Sequence, residues 1–263
     1  MTILPVGESA LLVELPDAPG HRGRPSHAGA AGHAGRHARA DLPGGAATAP
    51  APGAASAGRS RVAASGAVGT VTPIELYRAL TASAPSWVID LVPAAATVLV
   101  TFDRRRVAGP SVREWIARAL QTAVATAPTD VSDAAEVEIV EIPVRYDGAD
   151  LVTVADLTGS SVEEVIDAHT EQLWTAAFIG FAPGFAYLQG EDDRLSVPRR
   201  ATPRPVVPAG SVALAAGYCG VYPRESPGGW QLVGSTTATL WDARRAEPAL
   251  LVPGSLVRFV RVP

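Results

Sequence analysis

An α+β chain in two unlike parts is predicted. A small N-terminal domain, residues 1–144, follows the order βαββαβ, and a C-terminal domain, residues 145–263, folds its short strands into a sandwich or barrel. Three observations predict it. Apolar residues recur at helical spacing at two places in the N-terminal part, between runs that read as strands. Beyond Leu173 the apolar runs shorten, and Gly and Pro break them every few residues, as tight turns between strands do. From Asp17 to Thr72 the pattern collapses: half of the residues are Ala or Gly, none is aromatic, and only Leu42, Val62, Val68 and Val71 are large aliphatics.

The elements follow in order. Ser9 to Leu15 (SALLVEL) is a short aliphatic strand. Residues 17–72 hold too little apolar surface to offset their ordering entropy, and are expected to form a disordered insertion. In TPIELYRALTAS, Thr72 is the N-cap and Pro73 the first helical residue, with Ile74, Leu76, Tyr77 and Leu80 on one face. Two strands follow, Trp87 to Val92 and Val98 to Phe102, around a turn at Pro93. A second helix, Ser111 to Ala125, carries Val112, Trp115, Ile116, Ala119 and Leu120 on one stripe. Val137 to Val144 alternates like a strand and completes the split βαβ order of a ferredoxin-like domain. The second part opens with two short helices, LVTVADLTG and SVEEVIDAHT, joined at Gly159, where Ser161 and Glu164 make a capping box. It closes on SLVRFVRV, in which Leu256, Arg258 and Val260 alternate with Val257, Phe259 and Arg261.

Composition narrows the function. The chain has 263 residues, 47% of them hydrophobic, enough for a full core, and its net charge of −4 with mixed signs gives no footprint for nucleic acid. No apolar run is long enough to span a bilayer, and MTILPVGES lacks the regions of a signal peptide, so a cytoplasmic protein is expected. Cys219 is the one cysteine, which excludes a disulfide framework and a thiolate metal cage. All 22 basic residues are Arg. Without Lys, a Schiff base, a carboxylated lysine and the GxxxxGK[ST] phosphate loop are excluded. His21, His27, His33 and His37 lie in the 17–72 segment with no carboxylate cluster beside them, and no metal site is assigned.

The stretch Phe178 to Thr236 holds the candidate site. Gly180, Gly184, Gly210, Gly228 and Gly229 are expected to leave main-chain N–H groups uncovered, beside the charged forks of Arg199, Arg200 and Arg204, and together these are anion-binding material. The turns GFAPGF (Phe181, Pro183, Phe185) and SPGGW (Ser226, Pro227, Trp230) set small residues next to aromatics, which suits a planar ligand; barrel core is the other reading of the aromatics. Pro183, Pro208 and Pro227 form turns. Ser211 and Ser226 donate to a phosphate or cap a turn, since neither fits GxSxG. Arg199 and Arg200 have a structural alternative, covering the barrel surface and pairing with Glu191, Asp192 or Asp193. His169, the one histidine outside the insertion, fits two roles: partner of a helix C-terminus, or carrier of protons at neutral pH. Glu225 and Asp242 are acids that could meet Mg²⁺.

With these residues laid out, the chain resembles the family of the 5-oxoprolinase B subunit, also known as allophanate hydrolase subunit 1 and as the sporulation kinase inhibitor family. GESALLVEL, VPAAATVLVTFD, EIPVRYDG, the DAHT helix end, GFAPGFAYL, PRRATPRPVVPAGSVALA and YPRESPGGWQLVGST are similar to its signature blocks, in its order, over nearly all of the chain outside 17–72. The insertion replaces a short connection, and Ala94 to Ala96 replace a more polar turn.

The resemblance implies a cyclophilin-like β-barrel after the small α+β domain. It implies a hydrolase subunit that works with a C-type partner (allophanate hydrolase subunit 2 type) and with a third subunit handling 5-oxoproline. ATP with Mg²⁺ is implied as co-substrate in opening 5-oxo-L-proline to L-glutamate. On that expectation Arg204 and His169 are the catalytic candidates, and Arg199, Arg200 and the two glycine turns bind substrate or phosphate. Two further activities occur among relatives, inhibition of a histidine kinase and the carboxyltransferase half of a urea carboxylase.

Overall fold

The computed structural model describes residues 1–16, 71–125 and 138–263. The insertion expected at 17–72, with its four histidines, lies outside the described residues except for Val71 and Thr72.

The N-terminal part contains β1 (Thr2–Val6), β2 (Ala10–Glu14), α1 (Pro73–Ala82), β3 (Val88–Pro93), β4 (Thr97–Phe102) and α2 (Gly109–Ala125). Thr72 caps α1 as expected, and Glu75 returns the bond, its carboxylate accepting from the Thr72 N–H at 2.7 Å. β2 and β4 alternate buried and less buried residues, and Leu11, Val13, Val98, Val100 and Phe102 meet Leu76 and Leu80 of α1 and Val112, Trp115 and Ile116 of α2. Trp115 stands edge-on to Trp87 at 5.2 Å and donates its indole N–H to the Ser83 carbonyl.

The sheet is antiparallel in the order β1-β2-β4-β3. It departs from the βαββαβ expectation at one edge. In that scheme the last strand, β5 (Ile139–Val144), lies beside β2; here β1 occupies the place, and β5 pairs in parallel with β13 (Leu256–Arg261) of another sheet. Pro5 lowers the strand signal of β1, yet a missing N–H is harmless on an edge strand.

The second sheet has seven strands in the order β12-β9-β10-β7-β6-β13-β5. Besides β5 and β13 these are β6 (Trp174–Ile179), β7 (Ala186–Gly190), β9 (Ser211–Ala215), β10 (Tyr218–Val221) and β12 (Gln231–Ser235). The two edges meet where Arg145 and Ser235 exchange both main-chain hydrogen bonds, at 2.9 and 2.8 Å. The sheet is thus a nearly closed barrel. Its interior is filled by Ile142, Val144, Leu188, Val212, Leu214 and Val257, and α3 (Leu151–Thr158) and α4 (Val162–Glu171) belong to the same core. The expected capping box of Ser161 and Glu164 opens α4. A separate ribbon, β8 (Arg204–Val207) with β11 (Ser226–Gly228), carries Arg204 opposite Gly228. A second cluster, with Phe185, Tyr222 and Trp230, packs on Ala213, Ala215 and Leu232. Among the described residues no helix is long and apolar enough to cross a membrane.

Candidate functional site

The site begins at the seam of the barrel. The loop after β5 lies directly on β12: a Cβ at Gly148 would overlap the main chain of Leu232 to Gly234, so only glycine permits the approach. Asp150 follows. Its N–H donates to the Leu232 carbonyl at 2.9 Å, and the Leu232 N–H donates to its Oδ2 at 2.7 Å. Although Asp150 stands at the N-cap of α3, its carboxylate does not cap that helix. Oδ1 instead accepts from Arg200 Nη1 at 2.6 Å and from Arg204 Nη2 at 2.8 Å. The ribbon delivers both arginines: Arg204 opens β8, and the Arg200 N–H donates to the Gly229 carbonyl at 2.8 Å.

Asp150 is 3% exposed. Burial alone would raise its carboxyl; the bonds from Arg204 and the Leu232 amide, with the charges of Arg204 and Arg200, outweigh burial and hold it below the ordinary carboxylate range. The carboxylate uses one N–H from each fork. Arg200 Nε and Arg204 Nη1 are also buried, and they have no hydrogen-bond partner among the described residues.

Aromatic turns adjoin this pair. Gly180 to Phe185 is a closed turn: the Gly180 N–H donates to the Phe185 carbonyl and the Phe185 N–H to the Ala182 carbonyl. Gly184, at φ 83°, lies against Leu240 and Trp241, where a side chain would collide with the Leu240 carbonyl. Phe181 has φ 67° and is 58% exposed. A phenylalanine held in the left-handed region with its ring toward solvent is a strained placement of the kind found at binding sites. Its ring meets Phe185 at 5.2 Å and Tyr222 at 6.0 Å, and Phe185 meets Trp230 at 5.5 Å. The Arg199 guanidinium lies 5.9 Å from the Trp230 ring centre. Burial raises the Tyr222 hydroxyl, while the Trp230 main chain and the charges of Arg199 and Arg204 oppose that rise, so both arginines are felt at one phenol. The three arginines, the Phe181 turn and the Gly228–Trp230 turn therefore converge.

Several sequence expectations are corrected here. The arginines do not pair with Glu191, Asp192 or Asp193: Asp192 binds Arg194 at 2.7 Å, and Glu191 accepts from the Leu173 N–H. The N–H groups of Gly180 and Gly210 are not uncovered, since Gly210 donates to the Tyr222 carbonyl at 2.7 Å. Phe185 and Trp230 are 2% and 4% exposed and form core, which leaves Phe181 as the exposed aromatic of the two turns. Pro208, Gly210 and Ser211 belong to the turn at the end of β8 remote from Arg204, where Ser211 Oγ donates to the Pro208 carbonyl at 2.8 Å. Pro183 and Pro227 are exposed turn residues, and Ser226 faces the Arg224 carbonyl at 3.5 Å. Asp242 is engaged by Arg244.

His169 is elsewhere. It is fully buried, with Nδ1 2.7 Å from the Tyr146 hydroxyl, Nε2 3.2 Å from Cys219 Sγ, and its ring stacked on Phe259 at 4.3 Å. Burial lowers its pKa to about 3, so the ring is neutral and serves neither as a charged helix partner nor as a proton carrier in contact with solvent. Burial likewise raises the Cys219 thiol.

Asp150 is the residue that sequence reasoning missed. The signal was available: arginine forks that converge on a partly buried site require a carboxylate, and RYDGAD follows the last N-terminal strand with Asp150 just beyond a glycine.

Among the described residues no group of three or more His, Cys, Asp or Glu is placed to hold a metal ion.

Comparison with known proteins gives consistent results. Residues 65–251 match the family described as carboxyltransferase domain, subdomain C and D. The chain is 48% identical over 127 residues to the B subunit of 5-oxoprolinase from Bacillus subtilis (strain 168), covering 47% of this chain and 53% of that protein. It is 48% identical over 128 residues to the B subunit of 5-oxoprolinase from Escherichia coli O157:H7, covering 48% and 59%. The chain thus spans little more than half the length of the relatives it matches. The crystal structure of TTHA0988 superposes with a TM-score of 0.57 at 36% identity, covering 73% of this chain and 36% of that one.

Proposed function

The chain belongs to the carboxyltransferase domain family, subdomains C and D, and from that premise we propose that it is the B-type subunit of an ATP-dependent 5-oxoprolinase. The observation that carries the reading is the 48% identity to proteins named as the B subunit of 5-oxoprolinase. In this reading the cytoplasmic assembly opens 5-oxo-L-proline to L-glutamate, with a C-type partner (allophanate hydrolase subunit 2 type) and a third, 5-oxoproline-handling subunit. ATP with Mg²⁺ is the co-substrate.

A lactam is a poor electrophile, and the energy of ATP is spent in activating its oxygen. The task of this polypeptide is to position the reactants and neutralise charge as it develops. Having no Lys, it does so with guanidinium groups. Arg204 and Arg200, fixed by Asp150, are the cations that hold the substrate, and Arg199 and Phe181 lie beside them. A partner polypeptide completes the site. His169 holds the barrel core and takes no part in the chemistry.

The test is reconstitution. The purified chain is expected to show almost no 5-oxoproline-dependent ADP release alone and to gain it when the C-type and third subunits are added. Full activity of the chain alone would overturn the reading. So would an assembly that ignores 5-oxoproline and turns over urea, or a chain that binds a histidine kinase instead of these partners.

A further inference from the structure

We infer that Asp150, Arg200 and Arg204 form a receptor for a single carboxylate, and that this is the point at which the chain holds the carboxyl group of its substrate. The inference deepens the proposed function and rests on it for the identity of the substrate; the chemistry of the receptor rests on the geometry alone.

Two observations carry it. The first is charge. Two guanidinium groups share one carboxylate oxygen, at 2.6 and 2.8 Å, which leaves the cluster one positive charge in excess beside a buried acid. Arg199, the third cation, is exposed, so solvent and salt screen it. An uncompensated charge in a partly buried place is costly, and one monoanion brings the cluster to neutrality. A nucleotide polyphosphate, with several negative charges, would overshoot it and would repel Asp150.

The second is the pattern of donors. Arg200 Nε and Arg204 Nη1 are withdrawn from water and have no acceptor among the described residues. A buried N–H without a partner is destabilising, so each of these donors calls for an acceptor atom. A carboxylate offers two coplanar oxygens, the group that guanidinium forks match best. The side chains of Arg200 and Arg204 retain 33% and 21% of their exposure through their other atoms, so a ligand approaches the pair from outside and reaches the two buried donors only as the groups that cover them give way. Asp150 is then a positioning residue: through the Leu232 amide it ties both forks to the barrel seam and sets the charge of the receptor, without touching the ligand.

Calorimetric titration of the full chain tests this with 5-oxo-L-proline, its carboxamide, acetate, inorganic phosphate and ATP as probes. The expected result is saturable binding of 5-oxo-L-proline, competition by acetate, at least tenfold weaker binding of the carboxamide, and no competition by phosphate or ATP. Arg204→Gln and Arg200→Gln should each weaken 5-oxo-L-proline at least tenfold while the circular dichroism spectrum is kept. The inference is overturned if the carboxamide binds as tightly as the acid, if phosphate displaces it, or if no carboxylate binds. Failure here is separable from failure of the proposed function. Carboxylate binding without turnover in any reconstituted assembly removes the 5-oxoprolinase reading and leaves the receptor, whereas turnover with equal acid and carboxamide binding does the reverse.

Discussion

Replacing Asp150 with alanine is expected to lower the unfolding free energy by about 3 kcal/mol, the lower end of the range for removing one partner of a buried ion pair. The lower end applies because Arg200 and Arg204 remain partly exposed, and solvent screens charges left there. The variant strands two guanidinium groups and the Leu232 N–H together. Asp150→Asn should cost less, because its amide oxygen still accepts one of these bonds. The pH dependence has a definite sign. The folded-state pKa of Asp150 lies below its unfolded value, so its contribution is fully present above about pH 4 and is lost as pH falls through the depressed folded value. Urea unfolding of both variants at pH 7 and at about pH 3 measures it, and the deficit relative to the wild-type chain should shrink at the lower pH.

The other large effect lies in the barrel core. His169 has a pKa of about 3 in the folded chain, below that of an exposed imidazole. The unfolded chain therefore binds a proton that the folded chain refuses. The contribution is complete above about pH 6.5 and declines by about 1.4 kcal/mol per pH unit as the pH falls toward the folded value. His169→Gln keeps hydrogen-bonding groups near the Tyr146 hydroxyl and Cys219 Sγ but cannot titrate. The variant should be less stable at pH 7 through imperfect packing, yet it should lose about 2 kcal/mol less than the wild-type chain between pH 7 and pH 5. The four other histidines are present in both proteins and cancel in the comparison. Parallel stability profiles would show that His169 is protonated equally in both states, and that its burial is not what holds it neutral.

Local signals made most of the fold legible. Thr72-Pro73 and Ser161 with Glu164 mark helix starts within four residues of chain, and β2 and β4 alternate within a single strand length, so no tertiary information was needed to find them. The partner of β5 could not be found in this way. Ile139 to Val144 reads as a strand from its own residues, but whether it pairs with β2 or with β13 depends on contacts more than a hundred residues away. β1 failed for the opposite reason: Pro5 is a strong local breaker that an edge position tolerates.

The site divides along the same line. Arg199, Arg200 and Arg204 stood out because arginine forks beside glycine turns are a short-range pattern, and the β8–β11 ribbon does assemble them with Gly228 and Trp230. Asp150 lies fifty residues upstream of Arg200, and only closure of the barrel at Arg145 and Ser235 brings it there. His169 shows the converse. Its chemistry suggested catalysis, but three aromatic neighbours, Tyr146, Trp174 and Phe259, enclose it, and of these only Trp174 is near it in the sequence.

Asp150 and its two arginines must act as one unit if they are to present a site, and a double-mutant cycle of Asp150→Ala and Arg204→Gln on unfolding free energy measures that most directly. A coupling of at least about 1.5 kcal/mol is expected, because either substitution alone already breaks the shared contact. Effects that add to within about 0.5 kcal/mol would mean that Arg204 gains nothing from Asp150. The arginine pair would then have no fixed geometry to offer a ligand.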